Sequence, residues 1–325
     1  GMQIMELIRR DIRPRDIMTP AAFHNAETVD MALGCSTNTM LHLPAIAQEC
    51  GITLDLHQSN EIAARTPNLC HLAPAGDTFM EDLERAGGVY AVMKELTKKD
   101  LLDTSLLTCT GKTVAENLAP VQNLDPTVIR PLENPYSQSG GIAVLKGNLA
   151  ADGCVVKQSA VAPEMMVHKG PARVYNSEEE AIADIYGKKI HPGDVVVIRY
   201  EGPKGGPGMR EMYKAMKYLY GRGLSKTTAL ITDGRFSGTN NGCFVGHISP
   251  EAAEGGPIAI VHDGDLVEID VDSKKLELLV PQEEIEARLK QWKRPEPKFK
   301  KGWLGLYCKL AASGSEGGVM KFDHL

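Results

Sequence analysis

The sequence predicts an α/β protein in which a mainly helical first part precedes a β-rich second part. Three features of its 325 residues support this prediction. Residues up to about 120 carry apolar side chains at helical spacing, and the three prolines within 121–135 indicate a linker. Short β-branched or apolar runs bounded by glycine, proline, aspartate or asparagine follow, and eight such runs predict a barrel or packed sheets.

The first part is predicted to contain three helices, at 40–47, 78–84 and 89–96. Ser36, Thr37 and Asn38 are candidate N-caps of the first helix because their side-chain oxygens can accept from free backbone N–H groups. Pro44 lacks an N–H and should kink or shorten that helix. Two adjacent glycines at 87–88 should separate the other two helices.

The second part alternates predicted strands with helices. The strands are expected at 141–145, 154–157, 194–199, 227–231, 243–248, 258–261, 266–271 and 276–280. The helices are expected at 177–186, 209–220 and 282–292. Asp263 and Gly264 predict a tight turn, so the runs on either side of them should form an antiparallel pair.

Composition narrows the class of protein. The chain is 42% hydrophobic with a net charge of −6, and it has no basic cluster interleaved with aromatic residues, which argues against a nucleic-acid partner. No apolar run is long enough to span a membrane, and the first residues lack the apolar core of a signal peptide, so a cytoplasmic location and no membrane partner are expected. The seven cysteines are dispersed without a CxxC pair, as expected for reduced thiols.

A glycine-rich loop is the most informative local feature. Four glycines and two prolines lie within 201–209, which excludes regular structure and lets the backbone approach a ligand closely. Glu211 is predicted to lie in the first turn of the helix that follows, where the helix dipole favours a carboxylate. It is a candidate Mg²⁺ ligand, because magnesium takes oxygen ligands and only one or two protein carboxylates. An ordinary exposed glutamate at a helix start is the alternative.

Ser237 is the second candidate site residue. It follows the predicted strand 227–231, and Gly234 and Gly238 leave it uncrowded. Because the glycine spacing is not that of a G-x-S-x-G elbow, a hydrolase triad is not supported. The alternative is a turn serine that caps the following polar residues.

The histidines give no sign of a metal site. Six of them are isolated in the sequence, and none has the i, i+4 spacing of a helical metal pair: His42, His57, His71, His168, His191 and His247. Structural or surface roles are expected for each of them.

Short motifs are distributed along the whole chain. Besides the segments that carry Glu211 and Ser237, they are GCSTN at 34–38, LHL at 41–43, MEDL at 80–83, AGG at 86–88, TGKT at 110–113, EN at 116–117, ENP at 133–135, GG at 140–141, GNL at 147–149, GPAR at 170–173 and SPEAAEGGP at 249–257. These stretches resemble the C-terminal portion of the dihydroxy-acid and phosphogluconate dehydratase family, and they occur in the expected order over nearly the entire sequence.

The resemblance implies a hydro-lyase that removes water from a 2,3-dihydroxy acid, giving a 2-keto acid. It implies 2,3-dihydroxyisovalerate as substrate, in branched-chain amino-acid biosynthesis. An iron–sulfur cluster would act on the departing 3-hydroxyl, and Mg²⁺ would hold the carboxylate and 2-hydroxyl. Ser237 matches the family's catalytic base and Glu211 matches a magnesium ligand, while no substrate-binding residue is assigned. A sugar-acid dehydratase (aldonate or phosphogluconate) and a non-catalytic substrate-binding subunit are the alternatives.

The resemblance also has implications for the organisation of the chain. Residues 1–130 would be the helical remainder of an N-terminal α/β domain, and residues 131–325 a swivelling β/β/α barrel-like domain carrying Glu211 and Ser237. The family's cluster cysteines belong to a portion that would precede Met2, and no cysteine here matches an iron–sulfur ligand. We therefore expect this chain to be inactive alone, with apolar surface on residues 1–120 that favours a homodimer or pairing with the missing part.

Overall fold

The computed structural model describes residues 1–236 and 242–322. Within these ranges it contains twelve α-helices: α1 Met2–Arg9, α2 Pro14–Ile17, α3 Pro20–Leu33, α4 Thr39–Glu49, α5 Gln58–Arg65, α6 Met80–Arg85, α7 Gly88–Leu96, α8 Val114–Leu118, α9 Glu178–Tyr186, α10 Lys214–Gly221, α11 Gln282–Gln291 and α12 Gly302–Leu310. In the same ranges eight strands are present: β1 Ala143–Gly147, β2 Ala150–Val156, β3 Val167–Tyr175, β4 Val195–Ile198, β5 Ala229–Thr232, β6 Phe244–Ser249, β7 Leu266–Asp270 and β8 Lys275–Leu278.

The chain divides into two compact units. The first unit consists of Gly1–Cys35 and Ile46–Ile142, and the second consists of Ser36–Ala45 and Ala143–Leu325. The division into domains 1–130 and 131–325 stays a prediction. No helix in the described part of the chain is both long and apolar enough to cross a bilayer.

The first unit is helical and packs around its own apolar core. The side chains at the centre of this core are fully buried, among them Ala32, Leu69, Val92, Leu96 and Ile129. Helix α3 begins where the Thr19 hydroxyl accepts the N–H of Ala22 at 3.2 Å, and it ends at Gly34, whose φ of 62° is left-handed. The two helices predicted around the glycine pair are confirmed as α6 and α7. The helix predicted at 40–47 is α4, which contains the boundary between the two units at residues 45–46 and continues past Pro44 to Glu49.

The second unit contains a closed barrel with the strand order β1-β2-β6-β5-β4-β3-β7-β8. The four strands β3, β4, β5 and β6 run parallel, and the other pairs are antiparallel except for a single parallel bridge between β1 and β8. The prediction of a mixed α/β protein with a barrel is therefore confirmed. A closed barrel leaves no strand edge unpaired, which removes a route to aggregation.

Strand β4 shows how sequence alternation builds this barrel. Val195 and Val197 join the core cluster to which all of the strands contribute, whereas Val196 and Ile198 pack in a second cluster with residues of α9 and α10. Parallel strands covered on both faces are apolar at every position, as the run VVVI illustrates. Burying each such side chain contributes about 1.5–3 kcal/mol.

Two sequence predictions about the barrel are wrong. The run 258–261 is not a strand, because Pro257–Ile260 forms a short 3-10 helix. Strand β3 was missed because its central residues, Gly170 and Pro171, have low strand propensity. Asp263 and Gly264 consequently do not close a hairpin. The Asp263 carboxylate accepts the N–H of Val174 at 2.7 Å, and this turn therefore contacts β3.

The helix predicted at 209–220 begins later than expected. Helix α10 starts at Lys214 because one oxygen of Glu178 accepts the N–H groups of Lys214 and Ala215, at 3.0 and 3.1 Å. Glu211 therefore lies before the helix, not in its first turn, and forms a single β-bridge with Arg235. The helix-dipole argument for its carboxylate is wrong for this reason.

Candidate functional site

Four buried carboxylates support the glycine-rich loop of the second unit. They are at most 5% exposed, and we call them the carboxylate core: Glu178, Glu201, Asp233 and Glu251. Buried carboxylates are costly unless hydrogen bonds or cations replace their water shell. Each of these four has such partners, and two of them, Asp233 and Glu251, accept backbone N–H groups of the loop itself.

Asp233 is at the centre of the carboxylate core. It follows β5 and accepts three backbone N–H groups, from Tyr200 at 3.0 Å, Glu201 at 3.0 Å and Ala252 at 2.9 Å. Complete burial raises the pKa of Asp233, although its three hydrogen bonds oppose this shift. Asp233 thus ties the start of the loop to the segment that follows β6.

Glu251 holds the middle of the loop, and Glu201 is the first residue of the loop. Glu251 accepts the N–H groups of Lys204 and Gly205, both at 2.8 Å. Burial, with a smaller contribution from the Asp233 charge, raises the pKa of Glu251 to about 7. Glu201 is compensated by two cations, with Arg210 Nη2 at 3.2 Å and Lys298 Nζ at 3.3 Å from its Oε1. Buried acidic side chains therefore support the backbone of the loop.

The glycines of the loop have a steric function within the chain. A Cβ at Gly206 would lie 2.7 Å from the Cα of Glu201, and one at Gly202 would lie 2.7 Å from a Glu251 carboxylate oxygen. Such contacts are shorter than any side chain tolerates, so only glycine fits beside the carboxylate core. The glycine density that predicted close approach to a ligand is thus explained by packing inside the loop itself.

A second polar group lies at the far end of the loop. We call it the Glu211 cluster, and it comprises Asn38, His42, Glu211 and Arg235. The Asn38 amide donates to Glu211 Oε1, and Arg235 Nη1 lies 3.6 Å from the same oxygen. Arg235 Nη1 also donates to Asn38 Oδ1 at 3.3 Å and lies 3.3 Å from His42 Nε2. The structure thus brings Asn38, predicted only as a possible cap, to the predicted magnesium ligand.

Hydrogen bonds to backbone groups fix the position of Arg235. Its Nε donates to the carbonyl oxygen of Met209 at 2.5 Å, and the Met212 N–H donates to the Arg235 carbonyl at 2.8 Å. Its Nη2 has no hydrogen-bond partner among residues 1–236 and 242–322. Because a guanidinium has five N–H donors, Arg235 retains capacity to bind an anion.

For His247 the sequence predicted only a structural or surface role. This residue lies in β6, its side chain is 2% exposed, and its N–H donates to the carbonyl of Gly234 at 2.7 Å. Neither ring nitrogen has a hydrogen-bond partner in the described part of the chain. Leaving a buried polar group unpaired costs about 1–3 kcal/mol. Burial, and then the charges of Arg235 and His42, lower the pKa of His247 to about 3, so its ring is neutral at physiological pH.

Strained backbone coincides with this part of the second unit. Tyr200, Met209 and His247 have φ values of 64°, 48° and 59°, in the left-handed region that side chains other than glycine seldom adopt. Tyr200 and Met209 flank the glycine-rich loop, and His247 lies beside Gly234. Backbone strain of this kind persists where surrounding contacts enforce it, and it is concentrated at functional sites. No single-sequence signal marks these three positions.

The predicted base, Ser237, lies outside the described residues. In the sequence it follows Arg235 by two positions. Its role therefore stays a prediction.

Glu211 fits one position of a magnesium site. Its Oε1 binds Asn38 and Arg235, whereas Oε2 has no hydrogen-bond partner among the residues described. Magnesium is held by one or two carboxylates together with water or substrate oxygens, and a single free carboxylate oxygen is consistent with that. The described ranges contain no group of three or more His, Cys, Asp or Glu side chains that could hold a metal.

The cysteines do not fit an iron–sulfur cluster. All seven lie in the described ranges, and there they form no group of three or more that could hold a metal. Burial raises the pKa of Cys70 and of Cys243 to about 12, which favours the thiol over the thiolate that ligates iron. Cys70 and Cys243 therefore have the character of structural thiols, and no cysteine of this chain is assigned a part in the chemistry.

Comparison with known proteins identifies the family. The sequence matches the model described as dihydroxy-acid/6-phosphogluconate dehydratase N-terminal over residues 1–117. It matches the corresponding C-terminal model over residues 127–318.

Curated relatives agree with this match. Dihydroxy-acid dehydratases of Lachnoclostridium phytofermentans, Acetivibrio thermocellus and Clostridium kluyveri are 61%, 60% and 59% identical to the chain over 321 residues. Each alignment covers 99% of this chain and 58% of the relative, so the chain spans somewhat more than half the length of the relatives it matches. The resemblance found in the sequence is confirmed: the chain belongs to the dihydroxy-acid/6-phosphogluconate dehydratase family.

Proposed function

We propose that the protein dehydrates a 2,3-dihydroxy acid to a 2-keto acid, with the Glu211 cluster as part of its active site. The observation that carries this proposal is the polar cluster at the end of the glycine-rich loop, in a chain about 60% identical to proteins named dihydroxy-acid dehydratase. Glu211 has one carboxylate oxygen fixed and one free, and Arg235 supplies positive charge beside it.

The reaction requires removal of a weakly acidic proton from C2 and departure of the 3-hydroxyl. When bound, Mg²⁺ would supply charge that stabilises the enolate-like anion developed at the carboxylate. Glu211 would hold that ion through its free oxygen, and Asn38 would fix the orientation of the carboxylate. Ser237 is proposed as the base that takes the C2 proton, on the strength of the family motif alone.

We propose 2,3-dihydroxyisovalerate as the substrate, which places the reaction in branched-chain amino-acid biosynthesis. The names of the relatives favour a dihydroxy acid over an aldonate or phosphogluconate. The family includes 6-phosphogluconate dehydratases, so a sugar acid is the second candidate substrate.

The organisation of the protein is proposed as follows. Residues 1–130 belong to an N-terminal α/β domain, residues 131–325 form a β/β/α barrel domain, and residues outside this sequence hold the iron–sulfur cluster. Helix α1 supports an additional interface, because Met2, Met5 and Ile8 are at least 50% exposed on it. A second copy of the chain, or another part of the protein, would cover such an apolar face.

A substrate panel tests the proposed reaction. The whole protein, as its gene encodes it, is supplied with 2,3-dihydroxyisovalerate, an aldonic acid and 6-phosphogluconate, and 2-keto acid formation is measured with and without Mg²⁺. We expect turnover of dihydroxyisovalerate with the highest kcat/KM. Keto acid from the sugar acids alone would reassign the substrate, and binding without turnover of any acid would favour a substrate-binding subunit.

Two variants test the role of Glu211. Glu211→Gln should raise the Mg²⁺ concentration needed for half-maximal activity at least tenfold, because the amide is a neutral ligand. Glu283→Gln is the matched control, since Glu283 is an exposed glutamate in the first turn of α11. An unchanged magnesium requirement in Glu211→Gln would remove Glu211 from the metal site.

Iron analysis tests the proposed location of the cluster. The 325-residue chain, expressed alone under anaerobic conditions, should contain no iron–sulfur cluster and show no turnover, because its cysteines are dispersed. Tightly bound iron with a cluster absorbance in this chain would contradict the proposal.

A further inference from the structure

The His247 ring makes no hydrogen bond within the described fold. It is 2% exposed, and both of its nitrogens lack hydrogen-bond partners among the residues described. Its backbone adopts a strained left-handed φ of 59°. A residue that contributed only packing would be replaced without loss by an apolar side chain, which would avoid an unpaired polar group. Unpaired buried groups and backbone strain together indicate a residue kept for a ligand.

The surroundings of His247 define the chemistry of that ligand. The backbone hydrogen bond from His247 to Gly234 places it beside the turn that carries Arg235, and the charge of Arg235 acts on the ring. Arg235 has a free Nη2 among the residues described, and its side chain is 17% exposed. A guanidinium and a neutral imidazole N–H are both donors, and together they match the oxygens of a carboxylate.

We propose that Arg235 and His247 form the carboxylate-binding subsite of the active site and that His247 donates a hydrogen bond to the bound acid. This inference rests on the proposed function, because it assigns the subsite to the same dihydroxy acid. The other ring nitrogen is an acceptor on the opposite side of the ring, so it is available to a water molecule and not to a second group of the same small acid. His247 is thus a substrate-binding residue, distinct from the metal ligand Glu211 and from the proposed base.

Kinetics of His247→Asn provide the first test. Asparagine tolerates a left-handed backbone, so the variant removes the ring without adding strain. Loss of a contact that is equally strong in the ground and transition states raises KM and leaves kcat nearly unchanged. We therefore expect KM for 2,3-dihydroxyisovalerate to rise at least tenfold, on the order expected for loss of one such contact, while kcat changes less than threefold. His168→Gln is the matched control, because His168 lies in β3 of the same barrel and also has an unpartnered ring nitrogen, Nε2, in the described chain. Its KM should stay within about twofold of the native value.

Binding measurements separate this inference from the proposed function. Calorimetric titration of the native protein with 2,3-dihydroxyisovalerate should give binding that weakens at least tenfold in His247→Asn. Binding without turnover would overturn the proposed function alone. Turnover by the native protein together with an unchanged KM and affinity in His247→Asn would overturn the inference alone, and no binding by the native protein would overturn both.

A structure of the native protein with the acid decides the matter if His247→Asn does not fold. We expect one ring nitrogen of His247 and one Nη atom of Arg235 within about 3.2 Å of the carboxylate oxygens. A water molecule on each ring nitrogen, with the acid bound elsewhere, would show that His247 is a solvated structural residue and overturn the proposal.

Discussion

The carboxylate core and the Glu211 cluster belong to the same loop region of the second unit, yet their polar groups are satisfied to different degrees. Asp233 accepts three backbone N–H groups, and Glu251 accepts two. At the other group, Glu211 has a free oxygen, Arg235 a free Nη2 and nearby His247 two unpaired nitrogens in the described chain. Burial of charge alone therefore does not mark a site. Unsatisfied donors and acceptors that lie together are the better indication, because satisfied groups have already used their hydrogen bonds in folding.

Removing the centre of the carboxylate core should have the largest effect. Asp233→Ala leaves three buried N–H groups without an acceptor, so the free energy of unfolding should fall by on the order of 4 kcal/mol. Urea unfolding followed by tryptophan fluorescence measures it, because both tryptophans, Trp292 and Trp303, lie in the second unit. Asp233→Asn retains one acceptor oxygen and should lose less. Equal stability of Asp233→Ala and the native protein would show that the core is not structural.

The pH dependence of stability should identify Glu251. Its pKa is raised from 4.5 to about 7, so the folded chain binds the proton more tightly than the unfolded chain does. The free energy of unfolding therefore falls as pH rises from about 4.5 to about 7, by on the order of 3 kcal/mol from this group. Glu251→Gln should flatten that slope even though it loses one acceptor.

Glu27→Gln is the control for this slope. Burial also raises the pKa of Glu27 to about 7, but Glu27 lies in the first unit, which contains no tryptophan. Tryptophan-detected unfolding should therefore keep most of its slope in Glu27→Gln. If the free energy of unfolding of Glu251→Gln kept the pH dependence of the native protein, Glu251 would be ionised throughout this range.

A substitution that disturbs the packing of the loop against the carboxylate core should lower the free energy of unfolding by less than Asp233→Ala does. The added methyl of Gly206→Ala would lie 2.7 Å from the Glu201 Cα, a backbone atom that cannot move alone, so we expect a loss of about 2 kcal/mol in the free energy of unfolding. Gly221→Ala is the matched control, because its Cβ meets open space at the end of α10. It should be neutral or stabilise by less than about 1 kcal/mol. Similar losses in both variants would rule out the steric explanation.

The Glu211 cluster should contribute least to stability. Glu211→Gln retains the oxygen that accepts from Asn38, and the lost ion pair with Arg235 is long and partly exposed. The free energy of unfolding should change by less than about 0.5 kcal/mol. A loss as large as that of Asp233→Ala would erase the distinction between the two groups and assign Glu211 a structural function.

Local patterns were enough to predict several elements. The apolar runs of β4 and β5, the two helices at the glycine pair and the barrel follow from periodicity and turn residues that act within a few positions. Strand β3 was not predicted because proline and glycine interrupt its pattern. The start of α10 was predicted incorrectly because Glu178, which is distant in the sequence, determines it. Such failures arise where a tertiary contact overrides local propensity.

The sequence by itself determined the α/β class, the family and the importance of the glycine-rich loop, because residue order and short motifs are enough to identify them. Only the tertiary structure decided what surrounds Glu211 and which acids lie under the loop. Asn38 is 173 positions from Glu211 and Arg235 is 193 positions from His42, separations that no local pattern encodes. The lack of hydrogen-bond partners for the His247 ring among the described residues is likewise a property of the folded chain, because it depends on which groups surround the ring after folding.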